Sequence, residues 1–326
     1  MTTDDGLAAP ATDGPAPGPA PDGSAPDGSA TDGSGSLPNP RTRWDWLARY
    51  PHSIVEGRRH REELEQVERF CFFLGYPRSG HSLVGSLLNA HPEILIAHEL
   101  DAAGYVEHHF RRSQVFGLLI ERDQVFASMG RQWMGYDYVV PNQFQGRWTR
   151  LRVIGDKRAR TATFRLAQDP GLLDRMRRVV RVPIRVVHVT RNPYDNVVTM
   201  ARRTAAARHR GAPAGAPRAA ADLSDAIDRY GQLCGWVAGL RPRFGPDELH
   251  EVAYEDFVGK TEESLRGLCS FLGVGAGDGF LADCGGVVWP QTQRRRDTVE
   301  WSATDRRRMD ELIGSHPFLA GYSWDS

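Results

Sequence analysis

Gly75-Tyr76-Pro77-Arg78-Ser79-Gly80-His81-Ser82 is a stretch able to hold an anion, because it follows one apolar run and opens another. A turn between a strand and a helix offers free backbone N–H groups and the positive end of the helix, which together cradle phosphate-like groups. The spacing nearly fits the nucleotide-triphosphatase loop G-x-x-x-x-G-K-[ST], but His81 stands where that loop requires Lys. The cation is instead Arg78, inside the loop. A guanidinium keeps its proton at neutral pH, so Arg78 can do electrostatic work but cannot donate a proton. A base is available at His98-Glu99, where neighbours on an extended stretch point opposite ways and only one can face a given crevice. The string from His98 to Ala102 also approaches H-E-x-x-H, but Ala102 replaces the second His, so no metal site is expected. Lys157 is one of two Lys beside 39 Arg. In a chain whose default cation is Arg, its presence points to a need for a compact or titratable amine. Lys260, the other, reads as a solvated surface residue. Arg191 precedes Asn192, a good N-cap, and Pro193, a good first helical residue, and so stands beside a helix N-terminus.

To act together these groups need a common platform. Apolar runs at 70–75, 94–97, 152–155, 184–189 and 248–253 read as buried strands, and they alternate with helical stretches, notably 193–203, 222–240 and 255–273. That pattern predicts an α/β fold, a three-layer sandwich with a central parallel sheet of the P-loop nucleotide-binding type. Parallel strands end at one edge, where ligands bind. The residues just past the five runs are the Arg78 loop, His98-Glu99, Asp156-Lys157, Thr190-Arg191-Asn192 and Tyr254-Glu255, so five strands deliver polar groups to a single edge. His188, inside a strand, reads as a satisfied core residue.

The 326 residues suffice for a large core. Residues 1–40 contain eight Pro, seven Gly and six Asp, with no Lys or Arg, and read as a disordered tail ahead of a domain at 41–326. That domain holds 41 basic against 35 acidic residues. So mild an excess suits one polyanionic small molecule better than a nucleic-acid duplex. Four scattered cysteines without a CxxC pair argue against a disulfide framework and a zinc cluster, and fit a reduced, cytoplasmic protein. No apolar run is long enough to insert in a membrane. The segment 204–221 reads as a mobile insertion.

Three segments in order resemble sulfotransferases that use 3′-phosphoadenosine-5′-phosphosulfate, bacterial members included. FFLGYPRSGHSLVGSLLNAHPEILIAHELD resembles the start of that family, RNPYDNVVTM (191–200) its second signature, and YEDFVGKTEESLRGLCSFLGV (254–274) a later one. The stretches 100–150 and 205–221 match least. The resemblance implies that the loop backbone at Ser79, Gly80, His81 and Ser82 binds the donor's 5′-phosphosulfate while Arg78 faces the transferring group. It further implies that Arg191 and Thr199 grip the 3′-phosphate and that Lys157 approaches the scissile bond. Some members place a Glu base after the second strand, which favours Glu99 over His98. Tyr254 is expected to close the adenine side or buttress the sheet. Arg294, Arg295 and Arg296 correspond to a late basic segment that folds over the nucleotide, although the family's usual form is R-K-G. The product would be adenosine 3′,5′-bisphosphate, with no metal required.

The expected acceptor is a small molecule carrying a hydroxyl: a carbohydrate, phenol or natural product. His108, His109, Trp133, Tyr136, Tyr138 and Trp148 are aromatic candidates to touch it. Two alternatives remain at this point, an ATP-dependent phosphotransferase with Asp156 on magnesium, and a non-catalytic adenine-nucleotide-binding module.

Overall fold

The computed structural model describes residues 40, 42–133, 135–208 and 220–326. The proposed tail, apart from Pro40, and residues 209–219 of the proposed insertion lie outside the described residues. Among the described residues there are seven strands: β1 (Arg69–Gly75), β2 (Ile94–Ala97), β3 (Gln132–Trp133), β4 (Tyr136–Asp137), β5 (Val153–Asp156), β6 (Ile184–Thr190) and β7 (Leu249–Ala253). Five of them form a parallel sheet in the order β2-β5-β1-β6-β7, and β3 and β4 pair as a small antiparallel hairpin. The sheet grows outward from β1 in both directions, which makes the end of β1 the point where the order reverses and a ligand crevice opens.

The three layers follow from side-chain alternation. Phe70, Phe72 and Leu74 of β1 enter one apolar cluster with Leu95, Ile154, Ile184 and Val186. Cys71 and Phe73 enter a second with Ile94, Ile96, Val153, Val187 and Val189. Strands buried on both faces read as near-continuous apolar runs, which is why β1 and β2 are plain in the sequence and β6, with Arg185 and His188, is less so. A third cluster joins Tyr76 and Tyr194 to the helices Pro193–Arg208, Ala220–Leu240 and Ala303–Ser315. Gly155 lets β5 lie against β1, since a Cβ there would sit 2.3 Å from the Cys71 carbonyl oxygen. All four cysteines are buried free thiols.

Two features depart from expectation. The stretch 255–273 is two helices, Tyr254–Gly259 and Thr261–Phe271, broken where Lys260 leaves helical geometry at φ −139 and ψ 53. A helix that the sequence reading omitted, Arg43–Arg59, packs against Arg112–Ser128 and is opened by a capping box between Thr42 and Asp45. No described helix is long and apolar enough to cross a membrane.

Candidate active site

The loop after β1 turns through Tyr76 to Gly80, and the helix His81–Leu88 starts from Gly80, with no side chain capping it. Its first amides are thus available to an anion. Gly80 has φ +99, and a Cβ there would fall 2.1 Å from Cδ2 of Tyr254, whose ring lies over the loop. Gly80→Ala is therefore expected to destabilise the protein by about 2 kcal/mol or more through backbone strain and displacement of Tyr254, a loss readable as a lowered midpoint in urea. Ser79 is fully buried, donating its hydroxyl to the Tyr76 carbonyl at 3.2 Å with His81 Nδ1 at 3.3 Å. Burial, with Lys157 nearby, pushes the His81 imidazole down to about 3, so it remains neutral in the position where a triphosphatase loop carries Lys.

Three strand ends meet beside this loop. Lys157, only 2% exposed, donates from Nζ to Ser82 Oγ at 2.7 Å and to Glu99 Oε1 at 3.0 Å. The Glu99 side chain remains 29% exposed to the crevice. Burial pushes the Glu99 carboxyl up, but the Lys157 ammonium beside it draws it well below the usual carboxylate range. Burial lowers the Lys157 ammonium, with Glu99 opposing. His98 turns the other way: its ring stacks on Phe126 at 3.9 Å between centroids and meets Trp133 edge-on at 5.1 Å. The structure thus brings Glu99 to Lys157 and Ser82 and packs His98 among aromatic rings.

The backbone here is bent. Arg78, Glu99 and Asp101 have φ of 72, 61 and 78, a left-handed region that side-chain-bearing residues rarely occupy. The turn is held by several donors. Asp156 accepts the N–H groups of Leu100, Asp101 and Ala102 at 3.1, 2.8 and 2.8 Å, and that of Arg158 at 3.3 Å. Burial lifts the Asp156 carboxyl to about 6 while those N–H groups pull it down. Arg122 Nε donates to the His98 carbonyl at 2.9 Å, and Arg158 Nη1 to that of Glu99 at 3.1 Å. Asp156, the residue that a magnesium-dependent reading needed, is occupied as a backbone clamp.

On the other side of the loop, Arg191 lies with its guanidinium carbon 5.5 Å from the Tyr254 ring centroid and Nη2 3.3 Å from the Gln293 carbonyl. Asn192 caps the helix Pro193–Arg208 by accepting the Tyr194 N–H at 3.1 Å. Thr199, half-buried about two turns further on, donates its hydroxyl back to the Asp195 carbonyl at 2.8 Å, leaving its oxygen lone pairs for another donor. Two members of the basic triplet bond within the chain. Arg296 is 2% exposed and donates to the Ser323 and Ser326 carbonyls, while Arg294 bonds Asp297 and the carbonyls of Trp324 and Asp325. Both guanidiniums thus donate to the chain's own carbonyls, Arg296 from a buried position and Arg294 from an exposed one. Arg295 is half-buried between them.

The aromatic candidates divide into two groups. His108 stacks on Trp46 at 4.1 Å and Trp148 packs on the core, away from the loop, and His109 is exposed. Trp133 and Tyr138 flank His98, the Tyr138 hydroxyl meets Ser82, and Tyr136 on the same hairpin is 54% exposed. That Tyr138 reaches the loop could not be read from periodicity, because strands of two residues leave none. Among the described residues, no group of three or more His, Cys, Asp or Glu could hold a metal ion.

The arrangement is therefore an anion cradle whose rim carries a buried ammonium, a solvent-facing carboxylate and two guanidiniums. Such a set can bind a polyanion and stabilise charge developing on a leaving oxygen. Comparison with solved structures aligns the chain with the sulfotransferase domain of the Synechococcus olefin synthase at 16% identity, covering 77% of this chain and 94% of that one, with a TM-score of 0.46. Sulfotransferase STF9 from Mycobacterium avium aligns at 12% identity over 83% of each chain, with a TM-score of 0.47. Mouse SULT7A1, solved with PAP, aligns at 12% identity over 78% and 84%, with a TM-score of 0.40. A search of curated proteins finds no significant match. The sulfotransferase family model matches residues 71–278, from β1 through β7 and both helices that follow it. The three signatures and the strand-edge site all fall within that span, and the chain belongs to the sulfotransferase family.

Proposed function

We propose that this sulfotransferase moves the sulfuryl group of 3′-phosphoadenosine-5′-phosphosulfate to the hydroxyl of a small-molecule acceptor, and that residues 41–326 form its catalytic domain. The observation that carries the reading is the placement of Lys157 Nζ between Ser82 of the loop and Glu99 at the neighbouring strand end. In the reaction the acceptor oxygen bonds to sulfur as the bond from sulfur to the phosphate-bridging oxygen breaks, and that oxygen leaves with adenosine 3′,5′-bisphosphate. Glu99 takes the acceptor's proton, while Arg78 and Lys157 stabilise the negative charge on the departing oxygen, an interaction stronger in the transition state than in the ground state. The amides of Ser79, Gly80, His81 and Ser82 hold the 5′-phosphate, and Arg191 with Thr199 holds the 3′-phosphate. Tyr254 walls the loop. The hairpin bearing Trp133, Tyr136 and Tyr138 borders the acceptor side, consistent with a carbohydrate, phenol or other natural product. Four unpaired buried thiols suit a reducing compartment such as the cytoplasm.

The test is binding followed by turnover. Adenosine 3′,5′-bisphosphate should raise the melting temperature more than ATP with or without magnesium, and the donor should be consumed with some member of a hydroxyl-acceptor panel. A preference for magnesium-ATP would overturn the reading in favour of a phosphotransferase. Bisphosphate binding that survives Arg78→Ala and Glu99→Ala, with no turnover on any acceptor, would point to a binding module. Because His81 is neutral, His81→Gln should change bisphosphate affinity by less than about threefold and leave its pH profile unaltered between pH 5.5 and 7.5. Calorimetric titrations of both proteins at three pH values check this.

A further inference from the structure

Arg191 carries the selectivity for a 3′-phosphate in the proposed reaction, yet its own side chain is lightly tethered, by one carbonyl at 3.3 Å and one ring. Its backbone, by contrast, is held on both sides by a segment distant in sequence, 322–326. Before Arg191, Thr190 Oγ1 lies 3.3 Å from the Tyr322 hydroxyl. That hydroxyl donates to Glu255 Oε2 at 3.0 Å, and the other oxygen of Glu255 accepts the Asn192 N–H at 3.0 Å. After Arg191, the Asn192 side chain donates from Nδ2 to the Ser323 carbonyl at 2.9 Å and to the carbonyl and hydroxyl oxygens of Ser326 at 3.2 and 3.1 Å. The segment is itself fixed. Trp324 packs edge-on against Tyr194 and Trp301, with Arg306 3.7 Å from its ring centroid, and Arg294 and Arg296 bind its carbonyls.

We infer that segment 322–326 is a clasp that positions Arg191, and through it sets the preference for a 3′-phosphorylated nucleotide over one lacking that group. The inference rests on the donor assignment made above. Residues 322–326 are positioning residues: they orient the strand end from which the guanidinium projects, and Arg294 and Arg296 serve the same purpose by holding the clasp. A cation that must meet a phosphate with directional hydrogen bonds loses much of its value when its backbone is free to tilt. The 5′-phosphate lies against a different strand end, so a loosened clasp should leave its contacts intact.

The experiment uses the full chain and two ligands, adenosine 3′,5′-bisphosphate and adenosine 5′-phosphate, in calorimetric titrations of wild type, Tyr322→Phe and Asn192→Ser. The first variant removes only the bridging hydroxyl, and the second keeps an oxygen to cap the helix but removes the longer amide Nδ2 that reaches the three acceptors of the clasp. Each should weaken bisphosphate binding about tenfold, the scale of one or two lost hydrogen bonds, while adenosine 5′-phosphate binding stays within about twofold of wild type. Melting temperatures of both variants identify one that fails to fold, and the other then decides. Equal losses for the two ligands, or no loss for either, would overturn the inference and leave the clasp a purely structural element. A wild-type protein with no preference between the ligands would overturn the donor assignment itself, and this inference with it.

Discussion

Lys157→Met is expected to lower kcat by about two to three orders of magnitude, the scale of removing one preorganised charge from a site where an oxyanion forms. Met keeps the aliphatic stem, which matters because the Lys157 Cβ lies 3.2 Å from where a side chain on Gly85 would begin. Bisphosphate affinity should fall only a few-fold, since the loop amides, Arg78 and Arg191 remain. The fold should also survive. Burying an ammonium is costly in itself, and the Glu99 carboxylate left behind is 29% exposed and can take up water. The loss of stability should stay at about 1–3 kcal/mol, less than for a fully buried pair. Single-turnover rates and a chemical denaturation curve, measured on the same preparation, separate the two effects. A variant with wild-type kcat would remove Lys157 from the chemistry.

Glu99→Gln should reduce kcat by about two to four orders of magnitude for an acceptor with an ordinary hydroxyl, the range spanned by a positioned base. Gln is nearly isosteric and retains an oxygen to accept from Lys157, so the ion pair becomes a hydrogen bond with little change in shape. The diagnostic is the dependence on acceptor acidity. A nitrophenol already ionised at pH 8 has no proton to surrender, and its turnover should drop by less than about tenfold. In wild type the carboxyl lies far below its usual range, held there by Lys157 despite burial. Glu99 is then ionised throughout pH 5–9, and the rate should show no acid limb from this group in that window. Equal losses for both acceptors would mean that Glu99 orients Lys157 and does not remove the proton.

Much of the scaffold was legible because burial on both faces leaves a plain signature. FCFFLG is apolar throughout because each of its sides meets a core, and IRVVHV departs from that only at Arg185 and at His188, whose ring is bonded to Glu251 and Tyr76, so the residues at the strand ends stand out. The loop was legible because Gly80 and Arg78 answer to local geometry. What escaped depends on distant partners. Arg49 and Glu56 are buried within the helix Arg43–Arg59, interrupting an apolar stripe that sequence periodicity would otherwise reveal. Asp156 kept a magnesium-dependent alternative open because its letter does not show four backbone amides converging on it. The bonds of Arg294 and Arg296 to the carbonyls of residues 323–326 escaped because a guanidinium binds a carbonyl as readily as a phosphate, and a local run of Arg does not show which it meets. The two-residue strands of the hairpin are too short to bear any pattern, and with them Tyr138 was placed only among possible acceptor contacts.

Arg78, Glu99 and Asp101 all occupy left-handed backbone geometry within one small turn-rich corner. Each costs about 1 kcal/mol or more that the remainder of the molecule must offset. A search for heat-tolerant variants would therefore be drawn to these positions, where glycine relaxes the chain at once. On the proposed mechanism, the hardier proteins it selected at Arg78 and Glu99 would be those that had given up catalysis.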